Sequence, residues 1–244
     1  LLVDDILDQG QRKKLIIFLE KWLKNKIETT LKSLIDLKDL KEKNSSIKAL
    51  AYQLYENNGV LKRDQVSEYL KNLGQDERKI LRDLGVKFGR YHVFLYKLIK
   101  PEAVSLRTLL WKNYHQKYFN LMPPTFGLNF LNDKSLKNKN FMLLCGFEKF
   151  DNFFIRIDIL ERLFMKIINS KEEKEIKMIP EMLNLLGCSK ESFKKLLKMM
   201  DYKIIEKKDE IFFKYMPSKK DKSNFNKKTN KESPFEVLKN LNLN

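Results

Sequence analysis

The residues best suited to chemistry are cations and aromatic rings, which alternate over the segment 87–119. The cations are Lys87, Arg90, Lys97, Lys100, Arg107, Lys112 and Lys117. The rings are Phe88, Tyr91, His92, Phe94, Tyr96, Trp111, Tyr114, His115, Tyr118 and Phe119. Against seven cations stands one acid, Glu102, so the segment carries +6 of the chain's formal +17. Because cations neutralise phosphates and rings stack on bases, the pattern predicts a nucleic-acid surface.

Two structural roles are open to this segment. Its aromatic rings could be core residues and its lysines merely solvated, but the shortage of acids favours a binding surface, since a solvated face mixes both signs. We expect the phosphates to be followed by Lys87, Arg90, Lys97, Lys100 and Arg107. Tyr91 or His92 could stack on a base. The alternative for His92 is a structural role, because it stands in an apolar run.

Other chemistry has no sequence signal. Cys145 and Cys188 are far apart and form no Cys-x-x-Cys motif, so we expect two small buried side chains in a reducing compartment and no metal site. The eight glycines form no phosphate-binding loop, and we predict neither a catalytic constellation nor a cofactor for this chain. No apolar run approaches a membrane span. The net charge predicts an anionic partner, and we expect a cytoplasmic location.

Helical periodicity dominates the first half. Apolar residues at three- and four-residue steps predict helices over 11–36, 45–57, 63–72, 75–84 and 101–118. Residues 86–88 and 93–95 are expected to be extended. The Met-Pro-Pro-Thr-Phe-Gly sequence at 122–127 breaks the pattern, and 128–134 reads as a loop or linker, so we place a domain boundary near 120–140.

The second half has its own pattern. It predicts a helix over 135–145, a hairpin over 147–157, helices over 157–169, 180–186 and 190–200, and a terminal hairpin over 202–215. Helix, short helix, turn, helix and two-stranded wing is the order of a winged-helix module. On the helix predicted over 190–200, Lys190, Lys194 and Lys198 follow one another at four-residue steps and form a basic ridge.

The chain ends in a basic tail. Residues 217–233 are almost free of apolar side chains and are expected to be disordered. Phe235, Leu238 and Leu241 then form a short amphipathic motif, which either docks on a partner or folds back on its own domain. The fold class expected is therefore mainly α: a helical accessory domain (1–125), a winged-helix-like α+β module (135–216) and a disordered basic tail (217–244).

Two runs carry a family resemblance. They are 73–95 (LGQDERKILRDLGVKFGRYHVFL) and 98–111 (LIKPEAVSLRTLLW). Shorter similar pieces follow in order at 146–147, 156–163 (RIDILERL), 185–189 (LLGCS) and 233–238 (SPFEVL). The sequence resembles the C-terminal accessory region of bacterial counterparts of the mitochondrial-degradosome RNA helicase, an ATP-dependent superfamily-two family.

The resemblance implies a parent enzyme that hydrolyses ATP with Mg²⁺ on two RecA-like lobes and unwinds RNA. Those lobes would precede Leu1, and this chain would be the region that closes a channel over the RNA. It also implies that the 235–241 motif could contact an exoribonuclease. Two other functions stay open: a stand-alone winged-helix adaptor or regulator, and a scaffold that does not touch RNA.

Overall fold

Helices dominate the computed structural model, and three small antiparallel sheets lie among them. The structure describes residues 8–40, 45–132, 138–169, 175–207 and 210–216. The expected disordered tail and its motif (Phe235, Leu238 and Leu241) lie outside the described residues. Helix α1 is Gln9–Thr30, and α2 is Lys32–Lys38. Asp8 begins α1 with a capping box, in which its side chain accepts the N–H of Gln11 and the Gln11 side chain accepts the N–H of Asp8.

The single helix predicted over 11–36 is interrupted at Leu31. Its backbone leaves the helical region there (φ −103°, ψ 17°). No residue of α1 is buried, whereas Leu31 itself and Leu34 and Leu37 of α2 enter the core. The interruption therefore separates an exposed helix from a packed one, which apolar periodicity alone does not reveal.

A first unit, residues 45–95, holds three helices and three strands. Its elements are α3 Ser45–Glu56, β1 Val60–Lys62, α4 Ser67–Lys71, α5 Gln75–Asp83, β2 Val86–Phe88 and β3 His92–Leu95. Strand β3 lies between β1 and β2, and both neighbours are antiparallel to it. The expected extended segments are confirmed, but the first half is not purely helical, because β1 joins them to complete a sheet.

A second unit, residues 101–156, begins with a proline in the first turn of its helix. Its elements are α6 Pro101–Tyr114, β4 Phe130–Leu131, α7 Lys139–Leu144, β5 Phe147–Phe150 and β6 Phe153–Arg156. Strand β6 lies between β4 and β5. The prediction of a loop over 128–134 was wrong at β4, since Phe130 and Leu131 pair with Ile155 and Phe154.

A third unit, residues 157–215, follows without a linker. Its elements are α8 Ile157–Asn169, β7 Ile176–Lys177, α9 Pro180–Leu186, α10 Lys190–Met199, β8 Tyr202–Lys207 and β9 Glu210–Tyr215. Strand β9 lies between β7 and β8. The predicted helices and the terminal hairpin are confirmed, and the Ser189 hydroxyl caps α10 by accepting the N–H of Ser192.

The three units share one backbone pattern. In each, the third strand lies between the first and the second, and a residue with positive φ precedes the second strand: Gly85 (94°), Gly146 (85°) and Asp201 (63°). The carbonyl of that residue accepts an N–H from just after the third strand. The connection from a helix to the hairpin that follows it is therefore the same in all three units. The fold is helix-rich and carries small antiparallel sheets.

Candidate nucleic-acid interface

Six of the seven cations in 87–119 lie on the surface or half-buried. They are Lys87, Arg90, Lys97, Lys100, Lys112 and Lys117. Among the described residues none of the six forms an ion pair with an acid. The one acid of the segment, Glu102, pairs instead with Lys26 of α1. The acid shortage read from the sequence therefore persists in three dimensions.

Two of these cations, Arg90 and Lys100, lie next to aromatic rings rather than next to acidic side chains. The Lys100 ammonium lies 4.9 Å from the ring centre of Tyr96. The Arg90 guanidinium lies 5.9 Å from the ring centres of both Tyr91 and Tyr215. A ring attracts a cation weakly without cancelling its charge, so these cations remain available to phosphate.

Arg107 corrects one prediction. It was expected on the phosphate-binding surface, but it is only 3% exposed. Its Nη1 donates to the carbonyl oxygen of Asn58 (2.6 Å) and its Nη2 to that of Leu98. Burial lowers the pKa of Arg107 to about 10, which still leaves it charged at neutral pH. Arg107 therefore holds the main chain at Asn58 and at Leu98 against α6.

His92 corrects a second prediction, because a ring that is 2% exposed cannot stack on a base. Its Nδ1 lies 3.1 Å from Oε1 of Glu161 in α8, and its Nε2 lies 3.4 Å from Oε2 of Glu148 in β5. The Lys62 ammonium pairs with the same Glu148 (2.5 Å). A network of alternating charge, buried except at Lys62, thus joins all three units.

Strands β2 and β3 form the first hairpin, and the turn between them is built around the Glu161 carboxylate. The main-chain N–H groups of Arg90, Tyr91 and His92 all donate to it, the last two at 2.9 and 2.8 Å. Gly89 lies against the same carboxylate, and a Cβ at that position would overlap it. Three donors converge on one anion, so the hairpin is fixed to α8 rather than projecting into solvent.

The protonation of this network follows from its geometry. Burial by itself would lower the pKa of His92, but hydrogen bonds to Glu148 and Glu161 outweigh it and raise that pKa above 6.5. Burial would raise the pKa of Glu148, but its bonds to His92 and Lys62 outweigh it and lower that pKa below 4.5. The charged forms of both groups are stabilised together.

Tyr91 packs between the first and third units. Its ring meets that of Phe164 edge-on, with centroids 4.7 Å apart, and burial raises the pKa of its phenol. The ring nevertheless lines a cleft of about 430 Å³ at this junction. Arg90 and His92 line the same cleft, together with Lys62 and Arg63. The structure therefore brings Arg90, Tyr91 and His92 together, although it withdraws His92 from the surface.

The predicted basic ridge lies on α10 of the third unit. Lys190 and Lys198 are exposed, while Lys194 pairs with Glu206 of β8 (2.5 Å). On the adjacent hairpin Lys203 and Lys214 are exposed and directly opposite each other. Like charges directly opposite each other are destabilising on their own. The exposed lysines of α10 and of this hairpin therefore make the third unit a second region that attracts an anion.

Lys62, Glu148 and Glu161 were missed at the sequence level. Each acid stands in a mixed local context, and neither is near His92 in the chain; the contact spans 56 and 69 residues. The only local signal was the sequence Gly89-Arg90-Tyr91-His92, a turn and a histidine with no acidic residue next to them in the chain.

Among the described residues, no group of three or more His, Cys, Asp or Glu side chains is arranged to hold a metal ion. His92 turns each ring nitrogen to a different carboxylate, so the three groups form a chain rather than converge. Within the same ranges, no helix is long and apolar enough to cross a membrane. No protein-family model, curated protein or solved structure matched this chain when it was compared with them.

Proposed function

We propose that this chain binds RNA and is the accessory region of an ATP-dependent RNA helicase. One observation carries the RNA-binding part: six cations of 87–119 have no acid partner among the described residues, while the segment's own acid is paired with Lys26. Cations that the fold leaves without counter-ions are available for a polyanion. Lys87, Lys97 and Lys100 are the exposed residues that we assign to the phosphates.

The helicase part comes from the resemblance at 73–95 and 98–111. ATP and Mg²⁺ would be held by the RecA-like lobes, since this chain has no glycine-rich phosphate loop. The chain's own contribution would be to hold the RNA strand beside those lobes. The network of Lys62, His92, Glu148 and Glu161 supports such a role, because it keeps the three units in one fixed arrangement. An exoribonuclease partner for 235–241 stays a prediction.

A winged-helix reading of the third unit is a second proposal, with its own support. Helices α9 and α10 lie in the chain between β7 and the β8–β9 hairpin, the three strands form one sheet in which β9 is central, and α10 carries the basic ridge. In this reading α10 enters a groove of a duplex, with Lys190 and Lys198 against the phosphates. Such duplex binding would also suit a stand-alone winged-helix adaptor.

The test is a titration of labelled single-stranded RNA at several salt concentrations. The variant is Lys87→Glu/Lys97→Glu/Lys100→Glu in the full chain. If each lysine meets about one phosphate, the slope of log K against log salt should fall by roughly 2, at about 0.7 per contact.

The matched control is Lys14→Glu/Lys21→Glu/Lys48→Glu, three exposed lysines on α1 and α3. It changes the net charge by the same amount and should leave most of the slope intact. Equal losses in both variants would mean only general attraction, and no loss in the first variant would contradict the assignment of these three lysines. No RNA binding by the unsubstituted chain would favour the scaffold without RNA contact. Duplex binding that is lost in Lys190→Glu/Lys198→Glu alone would favour the winged-helix adaptor.

A further inference from the structure

The junction cleft has the form of a small-molecule site. Its volume of about 430 Å³ lies within the roughly 300–1,000 Å³ typical of ligand pockets. One wall is apolar and comes from all three units: Tyr91, Phe150, Leu160 and Met200. A flat, apolar group the size of a nucleobase could lie against this wall.

The rest of the cleft lining is polar or charged, and cations outnumber acids in it. Lys62 and Glu148 neutralise each other, which leaves Arg63 and Arg90 against the single carboxylate of Asp64, so the lining keeps a net positive charge. The Arg63 guanidinium donates to the carbonyl oxygen of Gly89 (2.6 Å), and among the described residues neither guanidinium forms an ion pair with a carboxylate. Two guanidinium groups at the edge of an apolar cleft match phosphates on either side of a base.

Asp64 and Ser67 add polar recognition at the same cleft. Asp64 lies at the surface, and its Oδ1 accepts the N–H of Gln65 (2.9 Å). Its Oδ2 has no donor among the described residues. A carboxylate accepts hydrogen bonds but donates none, so it favours a base with an exocyclic amino group over uracil, which offers only carbonyl oxygens at the corresponding positions.

We propose that the junction cleft holds one unpaired, amino-bearing base of a bound RNA strand. Tyr91 and Phe150 contribute the apolar wall, Arg63 and Arg90 bind the flanking phosphates, and Asp64 selects the amino group. The inference rests on the proposed RNA binding and adds to it a base preference that phosphate contacts cannot produce.

The first experiment compares a uridine hexanucleotide with the same RNA carrying one central cytidine. We expect the cytidine RNA to bind about tenfold more tightly, a ratio typical of one good base contact. In Asp64→Asn the ratio should fall below about twofold, because an amide can donate as well as accept. Equal affinities of the wild-type chain for the two RNAs would overturn the cleft proposal while leaving RNA binding intact. If neither RNA binds, the proposed function itself fails.

The second experiment fills the cleft. Ser67→Trp places a large side chain at its exposed rim, and Ser105→Trp, exposed on α6, is the matched control. We expect the first variant to lose the cytidine preference and the second to keep it. A Ser67→Trp chain that keeps the preference would contradict the assignment. Free cytidine monophosphate that binds as tightly as the hexanucleotide would contradict the strand as the ligand.

Discussion

Glu161 accepts two hydrogen bonds from His92, one from its main-chain N–H (2.8 Å) and one from Nδ1 of its imidazole (3.1 Å). The two residues belong to different units, β3 of the first and α8 of the third. A carboxylate that is 6% exposed thus holds both the backbone and the ring of one residue. The contact fixes how the first hairpin is presented to the rest of the chain, and several measurable properties depend on it.

Glu161→Ala should lower the free energy of unfolding by about 3–5 kcal/mol, as expected when one partner of a buried charged network is removed. The loss arises because three main-chain N–H groups and His92 are left without their acceptor. Urea denaturation measures it. Glu68→Ala, at an exposed acid in α4, should stay within about 0.5 kcal/mol. A small loss in Glu161→Ala would show that water replaces the carboxylate.

Gly89→Ala should be destabilising by about 1–3 kcal/mol, because its methyl group overlaps the Glu161 carboxylate. The side chain of Glu161 is flexible in principle, but three N–H groups hold its end in place. The decisive measurement is a double-mutant cycle. In the Glu161→Ala background the same substitution should have much less effect, and full additivity would contradict the steric cause.

Stability should depend on pH through His92 and Glu148. The folded-state pKa of His92 is raised, so its contribution is complete below about 6.5 and is lost as the pH rises through the folded value. The folded-state pKa of Glu148 is lowered, so its contribution is present above 4.5 and is lost as the pH falls through the folded value. We expect maximum stability between these limits. Urea unfolding of His92→Gln should lack the alkaline decline, whereas His115→Gln should keep it.

Arg107→Lys should destabilise the chain by about 2 kcal/mol, since an ammonium cannot reproduce the forked contact to two carbonyl oxygens and would leave one of them unpaired. Arg162→Lys, at an exposed position on α8, is the control and should stay within about 0.5 kcal/mol. The RNA affinity of folded Arg107→Lys should be unchanged. A specific loss of affinity with normal stability would restore the original phosphate-binding assignment.

Glu206→Gln should strengthen nucleic-acid binding if the α10 surface is used. The substitution frees Lys194 from its only described acid partner. One more lysine then becomes available, and the salt slope should steepen by roughly 0.7–0.9. Glu181→Gln, exposed in the first turn of α9, changes the net charge equally and should have little effect. Identical behaviour of the two variants would argue against a role for α10.

Elements with strong local signals were predictable from the sequence. Helices α8, α9 and α10 and the hairpins of the second and third units follow from periodicity, glycine stops and the Ser189 cap. Strand β4 was not predictable, because two residues have no period and acquire their structure only by pairing with β6. The break at Leu31 was missed for a similar reason, since apolar spacing does not distinguish an exposed helix from a packed one.

The charge of the candidate site was predictable from the sequence, but which of its side chains face solvent was not. Counting acids singled out 87–119 as acid-poor, and within the described part of the chain its six surface or half-buried cations form no ion pair. Whether a given cation faces solvent depends on tertiary packing, so Arg107 could not be separated from Lys100. The partners of His92 lie 56 and 69 residues away, beyond the reach of any local pattern.

The distance along the chain between the first hairpin and its acceptor has a consequence for biosynthesis. Arg90 and Glu161 are 71 residues apart, so a ribosome must add the whole second unit and the first turn of α8 after Arg90 before the acceptor exists. Until then the three main-chain N–H groups of the turn and Nδ1 of His92 lack the carboxylate to which they donate. The amino-terminal part of the polypeptide therefore reaches its final form late, when the translation of α8 is complete.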